Sequence, residues 1–463
     1  GRKWPSLPTN LATQPAHMLA RRSSGAAPGL TRGTTRVRQY PRTSSWLASI
    51  ARSFSSPAIA HLEDISQFEP PSLSLREQAQ RASALSHPLL EARVQELVPG
   101  IDERGMHANR PLIFGVAEPA QDAVLMWSND YLQLSSHPEV AAAKAEALMN
   151  ARASGRRNTT HEGAADAHRA FERRIAFLLG TQDAVLTMSG SHAVRGLLDT
   201  VCGVRTPIYA DGRSWAGGSL RHQPNLVPFA HNDVSELRRL ATQPGVIVVD
   251  GVYTNGAVAR LVEVAEVAEA SGSVLVVDET HSFGVAPGGL GVCEEAGVVD
   301  RVHFRAIGLS KACASRGGVV VGPSRALEAM RFVDRGLIFS TPPLEHEIVG
   351  YNATLDVLLR DEWRREKLHA THAALQRGLL ALGYDDDIAR SERQILSIVT
   401  GDAARTASLR DFCAARGVFG SVFCPPFALD GRSFVRFTVH CGISDAQCDH
   451  FLEVMEAARY IMK

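Results

Sequence analysis

The chain has 463 residues, of which 45% are hydrophobic and 21% charged, and its 49 Lys and Arg residues balance 49 Asp and Glu residues. This composition is globular, and the zero net charge argues against a nucleic-acid-binding protein. The seven scattered cysteines include no CxxC pair, which argues against a disulfide framework and against a metal site, and no apolar run approaches the ~20 residues of a membrane span.

The first segment, residues 1–62, differs from the rest of the chain. It contains nine Arg or Lys residues and no acidic residue, together with clusters of Ser and Thr, a composition typical of a mitochondrial or plastid transit peptide. Residues 52–56 also resemble a matrix-protease cleavage site. We therefore predict a mitochondrial location, with a disordered tail on a cytoplasmic protein as the alternative. The remaining chain carries 40 basic and 49 acidic residues, a net charge of about −9.

Residues 63–118 are predicted to form a helical segment, with a helix over residues 72–98 that is interrupted near Pro88. From residue 119 to 335, short apolar runs alternate with helical patterns. This alternation predicts a large domain of βαβ units, with a mostly parallel sheet between two layers of helices. The predicted strands are 123–127, 184–188, 207–210, 246–250, 274–278, 303–309 and 318–322, and the predicted helices between them are 168–179, 235–241 and 262–270.

Residues 336–463 are predicted to form a smaller α+β domain. A long helical pattern opens it, and shorter strand and helix patterns then follow one another. The predicted helices are 345–382, 406–416 and 445–458, and the predicted strands are 394–400, 419–424 and 434–439.

Two consecutive strand ends carry the residues with the clearest chemistry. Asp278 and His281 follow one predicted strand, and Lys311 follows the next. Since ligands bind at the carboxyl ends of parallel strands, we expect these three side chains to meet in one crevice. Pyridoxal phosphate (PLP) requires this set: a lysine for the Schiff base, a carboxylate for the pyridinium nitrogen and a donor for the ring hydroxyl. Individually the residues could be a helix cap, a packed histidine and a solvated lysine, but the combination predicts a PLP site.

Around these residues, about 340 positions (120–460) resemble the α-oxoamine synthases, fold-type-I PLP enzymes that join an amino acid to an acyl-CoA with loss of CO2. The matching segments are 128–132, 168–172, 188–190, 249–254, 278–284, 338–342, 435–437 and the Lys311 motif. Residues 400–402 and 417–425 further resemble the bacterial quorum-sensing synthases of long-chain α-aminoketones. The resemblance implies a mostly parallel, seven-stranded sheet in the large domain.

The resemblance also implies roles for single residues. Lys311 would form the Schiff base and move protons at the α-carbon, Asp278 would face the pyridine nitrogen and His281 the ring oxygen. Arg436 would hold the substrate carboxylate, with a surface salt bridge as its alternative. The remaining implied contacts are Asn129 and Tyr131 to the substrate; Ser189, Gly190, Ser191, His192 and Ser310 to the cofactor; and Ser340 and Thr341 to the cofactor phosphate of a neighbouring subunit, which implies a homodimer with shared active sites.

Four features depart from the family pattern. Trp215 stands where the family has a histidine stacked on the cofactor ring, and an indole can stack there but cannot exchange protons near neutral pH. Ser191 and His192 replace an aromatic residue and an Asn, and His192 could supply the missing ring. Gly308 replaces a hydroxyl residue three positions before the lysine, where Ser310 offers a nearby hydroxyl instead. The loop 340–345 is close to the family pattern but not identical with it.

Three functions are consistent with these residues. The leading hypothesis is the condensation of an amino acid with an acyl-CoA, or with an acyl-carrier thioester, to an α-aminoketone. The second is another PLP reaction, such as that of an aminotransferase or a lyase, because Trp215 changes the site. The third is a non-catalytic partner subunit of an active synthase, and the presence of Lys311 counts against it.

Overall fold

The computed structural model describes residues 87–97, 118–150, 166–218, 220, 223–384, 386–425, 428 and 431–462. The predicted transit peptide and the predicted helix before Pro88 lie outside these residues. The chain divides after Ala92, and the described residues before this point begin helix α1 (Pro88–Leu97). This helix starts at a proline, whose missing N–H costs no intrahelical bond at that position. All the other described elements belong to the second unit.

The chain forms twelve strands and fifteen α-helices within the described residues. The strands are β1 (Val124–Leu125), β2 (Asp183–Thr187), β3 (Ile208–Asp211), β4 (Leu226–Phe229), β5 (Val246–Asp250), β6 (Val274–Asp278), β7 (Phe304–Gly308), β8 (Gly318–Gly322), β9 (Ile395–Gly401), β10 (Val418–Phe419), β11 (Ser421–Phe423) and β12 (Ser433–Thr438). After α1, the helices are α2 (Pro138–Asn150), α3 (Asp166–Leu178), α4 (Gly190–Val201), α5 (Trp215–Gly218), α6 (Val234–Leu240), α7 (Leu261–Ser271), α8 (Val292–Glu295), α9 (Ser324–Val333), α10 (Arg335–Ile338), α11 (Glu345–Arg360), α12 (Trp363–Ala381), α13 (Asp386–Ala389), α14 (Ala403–Ala414) and α15 (Asp445–Met462).

A seven-stranded sheet with the order β2-β8-β7-β6-β5-β3-β4 forms the centre of the large domain. Its strands are parallel except β8, which runs antiparallel to both of its neighbours, β2 and β7. In β5, Val246 and Val248 pack with α4 on one face, and Ile247 and Val249 pack with α7 on the other. Successive strand residues point to opposite faces, so burial on both sides explains the continuous apolar runs. The predicted fold class is confirmed.

Several elements of the large domain were not predicted, among them β4, α2 and α9. Strand β4 contains Pro228, which argues against a central strand, but β4 lies at the sheet edge and pairs only with β3. A proline is tolerated at an edge because its missing N–H interrupts no ladder on the open side. Helix α2 is rich in alanine and buries only Val140, so the sequence carries no amphipathic pattern for it.

The C-terminal region differs from the prediction at two places. The predicted helix 345–382 is two helices, α11 and α12, which are separated at residues 361–362. The predicted strand 419–424 is divided between β10, which pairs with β1, and β11, which joins the antiparallel sheet β11-β12-β9. Strands β10 and β11 separate at Gly420, a position with no room for a side chain because a Cβ would lie 2.7 Å from the Phe437 ring.

The division into domains at residue 335 stays a prediction, and one buried cluster contains residues from both sides of it, including Phe283 and Phe437. None of the helices in the described ranges is long and apolar enough to cross a membrane.

Candidate active site

A cavity of about 320 Å³ opens at the carboxyl ends of β5, β6 and β7. This is the edge at which the sequence predicts a ligand site. The cavity contains nine of the predicted site residues, namely Lys311, Asp278, His281, Trp215, Ser189, Gly190, Ser191, Ser310 and Arg436. Residues that line it without having been predicted include Asp250, Thr254, Thr280 and Phe423. The strand-end rule could have identified Asp250, because it ends β5 as Asp278 ends β6.

The amine of Lys311 is a weaker base than that of an ordinary lysine. Burial, together with the nearby charge of Arg436, lowers the pKa of Lys311 to about 8, although Asp278 acts in the opposite direction. At pH 8 about half of such amines are uncharged, against less than about 1% for a lysine with the usual pKa. Lys311 is therefore able to act as a nucleophile and as a proton acceptor near neutral pH.

Two carboxylates, Asp250 and Asp278, stand side by side at the ends of paired strands. Burial raises the pKa of both, and the charge of Asp278 raises that of Asp250 further. Asp250 accepts hydrogen bonds from the Ser214 hydroxyl at 2.6 Å and the Trp215 N–H at 2.7 Å, and Asp278 accepts one from the Thr280 N–H at 2.9 Å. A buried carboxylate of this kind is stabilised by a cationic N–H partner, which a pyridinium ring provides.

His281 is held by Tyr131, whose oxygen lies 2.6 Å from His281 Nδ1. Burial and the charges of Lys311 and Arg436 hold the pKa of His281 well below its usual range, and burial raises the pKa of Tyr131 to about 12. The ring is therefore neutral and carries one proton. The Tyr131 hydroxyl lies within reach of two acceptors, His281 Nδ1 and Asn129 Oδ1. When it donates to Nδ1, the imidazole proton lies on Nε2, which is then a hydrogen-bond donor.

Tyr131 and Asn129 do not line the cavity, although the resemblance implied that they contact the substrate. Tyr131 is fully buried behind His281, and Asn129 Oδ1 lies 3.3 Å from the Tyr131 hydroxyl. Within the described residues, Tyr131 therefore adjoins the cavity through His281 and through the charge of Arg436. A direct contact of Tyr131 or Asn129 with the substrate stays a prediction.

Arg436, on β12, carries a buried guanidinium that has no counter-ion among the residues that the structure describes. It is 7% exposed, it lies over the Phe423 ring with Cζ 4.5 Å from the ring centroid, and its Nε has no hydrogen-bond partner. No carboxylate of the described residues forms an ion pair with it. Burial lowers the pKa of Arg436, and a guanidinium in this state gains free energy by binding a carboxylate from outside the chain.

Helix α4 directs its amino end at the cavity. The Ser189 side chain caps it by accepting a hydrogen bond from the His192 N–H at 3.1 Å. The first-turn N–H groups of Gly190 and Ser191 are not used in intrahelical bonds, and both residues line the cavity. A helix end of this kind attracts an anion such as a phosphate.

The His192 ring, by contrast, does not line the cavity. Its Nε2 lies 2.7 Å from Asp334 Oδ2, so the imidazole pairs with a buried acid on the far side of α4. This position corrects the expectation that His192 could replace the missing ring above the cofactor. Trp215 does line the cavity, and the residue is 47% exposed.

Ser340 and Thr341 also lie outside the cavity of the single chain. The Ser340 hydroxyl lies 2.6 Å from Met188 Sδ, close to the start of α4, and Thr341 is exposed. Their predicted contact with a neighbouring subunit stays a prediction.

Beneath the cavity, Glu279 turns away from it and pairs with Arg305 of β7. Both side chains are 1% exposed or less. Glu279 also accepts a hydrogen bond from the Cys293 N–H at 2.9 Å, and Arg305 donates to the Leu290 carbonyl. The pair joins the ends of β6 and β7 and so holds the segments that carry Asp278 and Lys311.

Comparisons with known proteins agree with this geometry. The sequence model of the aminotransferase class I and II family matches residues 121–455. CAI-1 autoinducer synthase of Vibrio campbellii is 32% identical over 381 residues, which are 80% of this chain and 94% of that protein. 8-Amino-7-oxononanoate synthase of Anaeromyxobacter dehalogenans is 33% identical over 343 residues, 72% of this chain and 86% of that protein. A solved structure of SPT with PLP has a TM-score of 0.70 at 25% identity and covers 81% of this chain and 98% of that one.

The same comparisons overturn the predicted location. The relatives are enzymes of bacteria, among them Vibrio, Anaeromyxobacter, Pseudomonas and Bacillus. Bacteria have no mitochondria, so the mitochondrial location inferred from the basic leader is wrong. A basic, Ser-rich composition is not specific to transit peptides, which explains the error.

Proposed function

Because the chain belongs to the aminotransferase class I and II family, we propose that it uses PLP to condense an amino acid with an acyl-CoA or acyl-carrier thioester, with loss of CO2, to an α-aminoketone. It is an enzyme of the α-oxoamine synthase type. The observation that carries the proposal is the cavity that joins the amine of Lys311, the carboxylate of Asp278, neutral His281 and unpaired Arg436.

The residues of the cavity fit PLP. Asp278 would pair with the pyridine nitrogen and His281 Nε2 would donate to the ring oxygen, while the start of α4 would receive the phosphate. Gly190 lets the start of α4 lie close to Gly308, because a Cβ at position 190 would lie 2.8 Å from Gly308 Cα. Lys311 would hold the aldehyde carbon, and Trp215 would cover the ring.

When bound, PLP supplies an electron sink for negative charge at the substrate α-carbon. Arg436 would bind the substrate carboxylate and so orient the α-carbon towards Lys311. The Lys311 amine would then accept the α-proton and return a proton after the acyl group has been added. Lys311 is suited to both transfers near neutral pH because its pKa is lowered to about 8. His281 has a pKa well below its usual range, and the Trp215 indole does not titrate near neutral pH.

An exposed apolar stretch next to Ser340 and Thr341 favours a homodimer with shared sites. Ser340 and Thr341 follow three large apolar side chains, Phe332, Val333 and Phe339, which are all more than half exposed. Exposed apolar residues grouped in this way are typical of an interface. We expect Ser340 and Thr341 to reach the phosphate in the partner subunit. Mixing a Lys311→Ala chain with a Ser340→Ala/Thr341→Ala chain should restore activity that neither has alone; a failure to restore it would contradict shared sites.

The experiment that tests the activity uses PLP-loaded enzyme with a panel of amino acids and acyl-CoAs. Thiol release that requires both substrates, with an α-aminoketone detected by mass spectrometry, supports the proposal. Formation of a keto acid without thiol would instead assign an aminotransferase, the reaction class that Trp215 leaves open.

The matched variants for this experiment are Lys311→Ala and Lys367→Ala. Lys311→Ala should lose the visible absorbance of the lysine-bound cofactor together with the product. Lys367 pairs with Asp445 on the surface at 3.0 Å, outside the cavity, so its replacement should change neither. Full turnover by Lys311→Ala would show that the assignment of this lysine is wrong.

A further inference from the structure

Thr280 lines the cavity between Asp278 and His281, yet the proposed function leaves it without a role. Its Oγ1 accepts a hydrogen bond from the Gly308 N–H at 2.7 Å. A hydroxyl that accepts one bond still has its own proton to donate. Thr280 therefore offers the cavity a neutral hydrogen-bond donor two residues beyond the end of β6.

The Thr280 side chain occupies the space that a side chain at position 308 would need. A Cβ on Gly308 would lie 2.8 Å from Thr280 Cγ2 and 3.0 Å from Oγ1. The strand register explains this contact. Asp278 of β6 pairs with Ala306 of β7, so Thr280 and Gly308, each two positions further on, face each other. The absence of a hydroxyl at position 308 is therefore linked to the presence of one at position 280.

The same hydroxyl lies beside the amino end of α4. A Cβ on Gly190, the first residue of that helix, would lie 3.3 Å from Thr280 Oγ1. The first-turn N–H groups and the helix dipole attract an anion to this end of the cavity. A hydroxyl donor and the helix end thus face the same space, which is the arrangement that a phosphate requires.

We infer that Thr280 donates its hydroxyl proton to the phosphate of PLP, beside the N–H groups of Gly190 and Ser191. The inference rests on the proposed function, since it requires PLP in the cavity. The competing acceptor is the Asp278 carboxylate, to which the Thr280 hydroxyl can donate a hydrogen bond that lowers the pKa of Asp278. A bound phosphate offers three acceptor oxygens and more negative charge than one carboxylate.

The test is an equilibrium titration of the apoenzyme, followed by visible absorbance, with PLP and with pyridoxal, which lacks the phosphate. Thr280→Val keeps the side-chain shape and removes the hydroxyl, and it should bind PLP about 10- to 100-fold more weakly. Its affinity for pyridoxal should stay at the wild-type value. Thr280→Ser keeps the hydroxyl and should bind PLP much as the wild type does.

A second pair of variants exchanges the two positions. Gly308→Thr alone should weaken PLP binding, because its Cβ collides with Thr280. The double variant Thr280→Ala/Gly308→Thr removes the collision and supplies the hydroxyl from position 308, so it should regain most of the affinity that Thr280→Ala loses. Melting temperatures of the apoenzymes separate loss of folding from loss of binding.

Four results would overturn the inference. Thr280→Val could bind PLP as tightly as the wild type, or Thr280→Ser could lose as much affinity as Thr280→Val. Thr280→Val could lose affinity for PLP and for pyridoxal equally, which would show that the Thr280 hydroxyl acts on Asp278 and not on the phosphate. Ser310→Ala, in place of Thr280→Val, could lose affinity for PLP but not for pyridoxal, which would show that Ser310 donates to the phosphate. If the wild-type chain does not bind PLP at all, the proposed function fails, and this outcome is distinct from the other four.

Discussion

Replacing Arg436 by Met tests how the site recognises its amino acid. Arg436 is 7% exposed and its Nε has no hydrogen-bond partner among the described residues, so a substrate carboxylate would meet no competitor there. Truncating one member of a buried, hydrogen-bonded charge pair costs about 2 to 5 kcal/mol. We therefore expect kcat/KM for the amino acid to fall by roughly 30-fold to several thousand-fold, while KM for the acyl-CoA changes little.

A second effect of the same variant follows from charge. The Arg436 cation lowers the pKa of Lys311, so its removal should raise that pKa from about 8 towards the ordinary lysine value. The pH dependence of the rate at which the apoenzyme takes up PLP reports this change, because only the uncharged amine reacts. The midpoint should move to higher pH.

The matched control is Arg416→Met. Arg416 also lies over an aromatic ring, with Cζ 3.6 Å from the Phe412 centroid, but it is exposed and outside the cavity. It should leave both the kinetic constants and the midpoint unchanged. A folded Arg436→Met enzyme with wild-type kcat/KM would refute the assignment of the carboxylate site, and an unmoved midpoint would refute the coupling to Lys311.

Three further predictions concern cofactor binding and stability. Trp215→Ala removes an aromatic surface of the cavity and should weaken PLP binding about two- to tenfold, because aromatic stacking contributes about 0.5 to 1.5 kcal/mol. A titration that gives wild-type affinity would contradict stacking of Trp215 on the cofactor. Arg305→Met leaves Glu279 buried without its ion pair and should lower the free energy of unfolding in urea by about 3 to 5 kcal/mol; a loss below about 1 kcal/mol would contradict it. Burial lowers the pKa of His372, whose Nε2 contacts the Ser391 hydroxyl, to about 4. Between about pH 6.5 and 4 the unfolded chain therefore binds a proton at His372 that the folded chain does not. The free energy of unfolding should fall by about 1.4 kcal/mol for each pH unit over this range. His372→Gln should flatten this part of the pH dependence, measured by urea unfolding. An equal slope in the variant would show that other groups cause it.

The strand ends show what could be predicted from local pattern. Asp278 and Lys311 follow apolar runs whose alternation with helical patterns indicates parallel strands, and parallel strands bring their carboxyl ends to one edge. No long-range distance was needed for that conclusion, because the connectivity of βαβ units implies it. The resemblance then added Arg436 and the start of α4, which the cavity contains.

The errors and omissions arose where packing between distant segments decides the outcome. The resemblance assigned Tyr131 to the substrate and gave no sign that it packs behind His281, 150 residues away in sequence. His192 faces Asp334 because helical residues around one turn point in different directions, and only the packing of α4 on the sheet selects which of them meet the cavity. These side-chain orientations depend on tertiary packing, and no local sequence pattern predicts them.

The sequence by itself determined the parallel sheet, the edge of that sheet at which the ligand binds and the three residues that indicate PLP. It did so because hydrophobic periodicity and the order of strands are local properties of the chain. Only the tertiary structure decided that Arg436 has no counter-ion in the described part of the chain, that His281 is held neutral and that Thr280 excludes a side chain at Gly308. Each of these depends on burial and on contacts of a few ångströms between strands, helices and loops that lie far apart in sequence.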